Sequence, residues 1–139
     1  TEPVLPVEAR EFTTDGAAAF AQYVIDATNW AYATGDAAPL LDHCSEDSAY
    51  CQSVMAHAPE FEGAERTRFG GLMTLTVDSV ELYADDAVAF VIGTASVGEA
   101  TDLDTEGFKS GEVDQRDLDV TLQMQFTAGI WTLLLAGGT

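Results

Sequence analysis

The sequence predicts an α+β fold: N-terminal helices, one of them long, packed on a curved antiparallel sheet of about four strands in a cone-like arrangement. Three observations carry this. Apolar residues recur at three- and four-residue steps through residues 20–34. Beyond residue 70 the period drops to two. That register then slips by one residue near Asp78–Ser79, which predicts a β-bulge and so a bent sheet. Helices first and strands afterwards, without alternation, is the order of an α+β domain.

Residues 1–12, TEPVLPVEAREF, carry two prolines and no helical period, and read as an extended lead-in or tether. Residues 13–139 read as a single α+β cone domain. Thr13 or Thr14 can cap the first helix, with Asp15 in its first turn. Phe20, Tyr23, Val24, Ala27, Trp30, Ala31 and Thr34 form its apolar stripe. Gly35 ends it, and Asp36 caps a short second helix through Leu40 and Leu41. Cys51, Val54, Met55, Ala58 and Phe61 mark a third helix, which Pro59 weakens and Gly63 closes.

Met73, Leu75 and Val77 begin the first clear strand, and Val80 and Leu82 continue it on the opposite parity. Ala84-Asp85-Asp86-Ala87 reads as a turn. The next strand has Val88, Phe90 and Ile92 on one face and Ala89, Val91, Gly93 and Ala95 on the other. Apolar residues on both faces predict a central strand, or one that meets a second molecule. Residues 98–111, GEATDLDTEGFKSG, read as a polar acidic loop. Leu118, Val120, Leu122, Met124 and Phe126 then alternate with Asp119, Thr121, Gln123 and Gln125, a strand with one wet face. Ala128-Gly129 is a tight turn into a last strand carrying Trp131, Leu133 and Leu135 on one face. Trp30 and Trp131 are expected in the core.

Charge excludes several partners. Among 139 residues, 24 Asp and Glu stand against 5 Lys and Arg, a formal net charge of −19. A polyanion needs a basic surface, so nucleic acid and anionic lipid are rejected. The acidity reads as a solvated, self-repelling surface. No apolar run approaches the roughly 18 residues of a membrane span. The chain begins with Thr rather than Met, which is read as a processed or shortened chain with any targeting signal lying outside it.

The segment AAAFAQYVIDATNWAYATGDAAPL, the two cysteines with CQSV, the Gly-containing FEGAERTRFGG and the closing GIWTLLL together resemble an uncharacterised family of actinobacterial cell-surface lipoproteins. The organisation over residues 13–135 resembles the nuclear transport factor 2-like, or cystatin-like, fold. The resemblance implies a lipid-bearing cysteine upstream of this chain and an extracellular or cell-surface location, anchored through that upstream segment. It implies no known activity.

His43, Cys44, Cys51 and His57 lie close together in DHCSEDSAYCQSVMAH. Zinc sites favour pairs spaced by two to five residues, which these are not. Adjacent His43 and Cys44 do not converge readily on one ion, and Cys51 and His57 lie roughly 120° apart around a helix. A nucleophilic Cys51, with His43 or His57 as its base, would be captured by the second cysteine in an oxidising compartment. A structural disulfide between Cys44 and Cys51 is preferred, worth about 2.5 kcal/mol by loop closure. It makes a demand: a disulfide needs Cα atoms roughly 4.4–6.8 Å apart, so residues 45–47 must loop back and the third helix must begin at 47–49.

Asp102, Asp104 and Glu106 in DLDTEG resemble the start of a calcium loop, but Val113 rather than Glu stands at its twelfth position. They are weak calcium candidates, and no other metal or cofactor is expected. Tyr23, Tyr32 and His57 are the candidate pocket residues at the cone mouth. The inward faces are otherwise apolar, and no catalytic group is assigned. The expected role is a secreted or surface-tethered non-catalytic domain, binding or acting as a structural accessory at the cell envelope. The alternative is a lyase- or isomerase-type enzyme using the cone pocket for a small molecule. The expected partner is a small molecule or an envelope protein, and the chain is expected to be a monomer or a homodimer. A deep pocket with a buried acid or base would favour the enzyme.

Overall fold

The long helix α1 spans Thr14–Thr34 in the computed structural model, which describes residues 2–59, 61, 66–104 and 106–138. Thr13 caps it: its Oγ1 accepts the Gly16 N–H at 2.9 Å. Gly35, left-handed at φ 82°, closes it, donating its N–H to Ala31 O. The stripe of Phe20, Tyr23, Val24, Ala27 and Ala31 is buried. Helix α2 (Ala38–Leu41) starts where Asp36 Oδ1 accepts the Ala38 N–H. Helix α3 spans Ala49–His57.

Four strands form the main antiparallel sheet in the order β2-β3-β6-β7, with β2 at Met73–Tyr83, β3 at Val88–Val97, β6 at Arg116–Thr127 and β7 at Ile130–Gly138. Strand β3 is central, as its two apolar faces predicted. The bulge falls where the sequence slips, because Val77 pairs with Gly93 and Ser79 with Ile92, leaving Asp78 over. Residues 84–87 turn, and Ala128 (φ 53°) with Gly129 (φ 80°) makes the left-handed two-residue hairpin between β6 and β7.

The segment expected as an acidic loop is instead a hairpin. Strands β4 (Ala100–Asp104) and β5 (Lys109–Val113) join β1 (Arg66–Gly70) in a second, three-stranded sheet of order β1-β4-β5. The inward row of β4 is Ala100 and Asp102, so hydropathy carries no trace of it. Two chain segments run through both sheets and bend at one corner. There Gly71 N–H donates to Glu99 O at 3.0 Å and Gly98 N–H to Leu72 O at 3.1 Å. Gly70 has φ 83°, and a Cβ there would overlap the Glu99 carbonyl, so the corner requires glycine.

Four further expectations are corrected. The lead-in is not extended throughout: Val7–Arg10 is a short 3-10 helix with Ala9 fully buried. Phe12 stacks on Trp131 with ring centroids 5.6 Å apart, and Trp131 Nε1 donates to Glu11 O. A Cβ at Gly16 would overlap the carbonyls of Glu8 and Glu11, so this crossing depends on that glycine. Leu135 does not share the face of Trp131 and Leu133. Pairing shifts between Gln123–Leu135 and Met124–Leu133, so Leu134 is an extra residue, Leu135 is 54% exposed and Ala136 turns towards the core. Trp30 is only half-buried, donating through Nε1 to Asp36 Oδ2 at 3.3 Å, whereas Trp131 is buried. Met55 of α3 is also exposed, while Cys51, Val54, Ala58 and Phe61 are buried; Gly63 lies outside the described residues.

The helix α1 lies against the open edge of β2 as well as its face. Asn29 Nδ2 donates to Met73 O and Asn29 Oδ1 accepts the Met73 N–H, both at 2.9 Å. Two turns earlier, Gln22 Nε2 donates to Leu75 O at 2.8 Å. Side-chain amides thus stand where a neighbouring strand would pair. The row Asp119, Thr121 and Gln125 on β6 faces solvent, with Gln123 half-buried. Among the described residues no helix is long and apolar enough to cross a membrane.

Candidate functional site

The cysteines are a disulfide. Cys44 and Cys51 are bonded with Cα atoms 6.4 Å apart. Ser48 N–H donates back to Ser45 O, and Ser48 Oγ accepts the Cys51 N–H, so helix α3 begins at Ala49 as the bridge demanded. The bridge also ties α3 to the outer edge of the main sheet. Ser45 N–H donates to Leu133 O, and Leu133 N–H donates to His43 O, each at 2.8 Å. A disulfide neither attacks nor ligates, so the thiol and zinc readings end here. His43 stands edge-on to Tyr23 and Phe20, at centroid distances of 5.4 and 6.1 Å. Its Nδ1 is buried and accepts or donates no hydrogen bond among the described residues. His57 is exposed at the end of α3.

Of the calcium candidates, Asp104 serves the hairpin. Asp104 Oδ1 accepts the N–H groups of Glu106 and Phe108, both at 2.9 Å, and Gly107 is left-handed at φ 86°. Asp102 is buried and Glu106 exposed. Among the described residues no group of three His, Cys, Asp or Glu side chains is placed to hold a metal ion.

Among the described residues, two cavities, each partly open to solvent, lie between α1 and the sheet. The inner one has a volume of about 150 Å³. Val24 and Ile25 of α1 form its roof, Ala95, Leu118, Val120 and Leu122 its floor, and Tyr50 of α3 one wall. Its surface is almost wholly hydrocarbon. Beside it is a vestibule of about 200 Å³, walled by Thr28, Asn29 and Tyr32 of α1, by the Gly70–Leu72 corner, and by Arg116. Met73 and Val97 belong to both and form the partition.

The polar groups of these walls are mostly committed. Thr28 Oγ1 donates to Val24 O at 2.8 Å. Its one proton is then used, so the 2.7 Å contact between Thr28 Oγ1 and Tyr50 Oη is a donation from Tyr50. The Tyr50 phenol therefore offers the inner cavity lone pairs and no proton. Burial raises its pKa above 10.0, the Thr28 hydrogen bond opposes this, and Tyr32 adds to it. Of the three expected pocket residues, Tyr32 lines the vestibule and stands edge-on to Phe61. Tyr23 lines neither cavity: its hydroxyl donates to Pro39 O at 2.7 Å, and burial raises its pKa, with Asp42 and Glu2 adding to the shift. His57 lines neither cavity. The structure does not bring the three together.

Sequence reasoning missed Tyr50 and Arg116. Tyr50 lies one residue off the stripe of α3, in its first turn. Arg116 was legible in principle, because it stands two residues before Leu118 on the alternating row that continues through Val120 and Leu122.

A family profile described as "Family of unknown function (DUF6318)" matches residues 1–136. No curated protein matches the chain. Among solved structures, the crystal structure of the intermembrane space region of the chloroplast protein ARC6 is similar, with a TM-score of 0.57 and 17% identity over 86% of this chain and 93% of that chain. At that identity the likeness concerns the fold alone.

Proposed function

This chain belongs to the family of unknown function DUF6318, and we propose that it is a non-catalytic binding domain of the cell envelope that holds a small apolar group between its long helix and its sheet. One observation carries the reading: a cavity of about 150 Å³ whose described walls hold no carboxylate and no imidazole. A closed engineered protein cavity of about that volume and similar apolar lining takes up benzene. A lyase or isomerase needs a positioned acid or base. The one titratable group on its described wall, Tyr50, donates its hydrogen bond to Thr28 and is held neutral by burial, which supports binding over catalysis.

Placement at the envelope is part of the proposal. The disulfide fits an oxidising compartment. The resemblance to actinobacterial surface lipoproteins supports an anchored placement, and that to nuclear transport factor 2-like cones supports a hosted small molecule. Binding is tested by melting the protein with toluene and other single-ring hydrocarbons. A ligand that binds only the folded state raises the melting temperature. The expected result is a rise for wild type and none for Val120→Phe, whose ring occupies the space. No rise for any such probe would overturn the proposal.

A further inference from the structure

We infer that the ligand is a small amphipathic carboxylate, with its apolar body in the inner cavity and its carboxylate on Arg116 in the vestibule. This rests on the reading of the inner cavity as a binding site and adds the class of ligand.

The register of the sheet places the charge. Arg116 pairs directly with Val97, as Leu118 pairs with Ala95 and Val120 with Gly93. Directly opposed residues share a face of the sheet. Arg116 is therefore the mouth-end member of the same inward row that floors the cavity with Leu118, Val120 and Leu122. A guanidinium at the head of an apolar row is unexpected in a chain with 5 basic residues against 24 acidic ones. Lys109 is engaged with Glu112 at 2.6 Å, whereas Arg116 makes no ion pair among the described residues. The neighbouring acids Asp117 and Asp119 alternate onto the other face and are exposed.

The remaining chemistry narrows the head group. The Asn29 amide is spent on Met73 and the Thr28 proton on Val24. Among the described residues nothing takes the guanidinium's donors, and its planar fork matches a carboxylate with two parallel hydrogen bonds. A cationic head would meet Arg116 itself. A multiply charged anion would meet the field of a chain at −19 more strongly than a single carboxylate does. With a screening length of about 8 Å at physiological salt, contact with Arg116 outweighs that distant field for one charge. Between head and body stands Met73, an unbranched side chain that adapts to what it packs against.

The test compares two probes that differ only in the head group. Hydrocinnamate and its neutral alcohol are titrated calorimetrically into wild type, Arg116→Ala and Arg116→Lys at one ionic strength. Arg116 is exposed, so these changes leave the core intact; matching melting curves confirm it. Wild type should bind the carboxylate about tenfold more tightly than the alcohol. Arg116→Ala should remove that preference and leave the affinity for the alcohol unchanged, with Arg116→Lys recovering part of it. Equal binding of the two probes by wild type, or a preference that survives Arg116→Ala, overturns the inference and leaves the apolar cavity standing. Binding of neither probe overturns the inference, and the melting test with single-ring hydrocarbons then decides the reading of the cavity.

Discussion

Asn29 and Met73 exchange two hydrogen bonds, the amide of a helix side chain pairing with the backbone of an edge strand as another strand would. The pair joins fold to site. It seats α1 on the sheet, and it fixes the residue whose side chain divides the inner cavity from the vestibule. Asn29→Ala leaves the Met73 N–H and carbonyl without these partners and should cost about 1–3 kcal/mol. Asn29→Asp keeps the acceptor and loses the donor, so it should fall between. Urea unfolding of the three proteins checks the order; equal midpoints would show that the edge does not need its cover.

Tyr50 and Tyr23 set the alkaline limit. Burial raises both phenol pKa values above 10.0. The unfolded chain then loses those protons first, so the stability they contribute is complete below pH 10 and falls as pH rises through the raised folded values. Tyr50→Phe should cost about 1 kcal/mol at neutral pH through the lost bond to Thr28, and should flatten the decline above pH 10. Unfolding curves of wild type and variant across that range check it. An unchanged alkaline slope would show that Tyr50 ionises as freely in the folded state as in the unfolded one.

The disulfide closes a short loop, so its removal should be survivable. Reduction, or Cys44→Ala with Cys51→Ala, should lower stability by about 2.5 kcal/mol and leave a cooperative thermal transition. The 43–45 segment still bonds Leu133 through its backbone in that variant. Loss of the cooperative transition in mild reductant would mean that the bridge, not the core, holds α3.

The charge of −19 predicts self-repulsion in the folded state. Raising sodium chloride from a few millimolar to physiological strength should raise the melting temperature through screening. A melting temperature flat across that range would show that the charges are already compensated.

Most of the fold was legible because its determinants are local. Thr13, Gly35 and Ser48 act within one helical turn, and the Asp78 bulge announces itself as a parity change in the apolar residues. The bridge geometry narrowed the start of α3 to residues 47–49, and it begins at Ala49. What escaped was written in non-local or polar terms. Strand β4 buries Ala100 and Asp102 and so has no hydrophobic period. The Leu134 bulge leaves no parity break, because Leu133, Leu134 and Leu135 are alike. The docking of the lead-in depends on Gly16, an absence of side chain meeting the carbonyls of Glu8 and Glu11 in the preceding segment. The cavity site was half-visible: Tyr32 was foreseen, whereas Tyr50 and Arg116 reach it only through the packing of α3 and the register of β6.

The most direct measurement is a methyl NMR titration of the intact chain with toluene. Saturable shifts confined to Val24, Ile25, Ala95 and Leu122, and absent in Val120→Phe, are the result expected. Shifts that never saturate, that scatter over the surface, or that persist when the cavity is filled would contradict it.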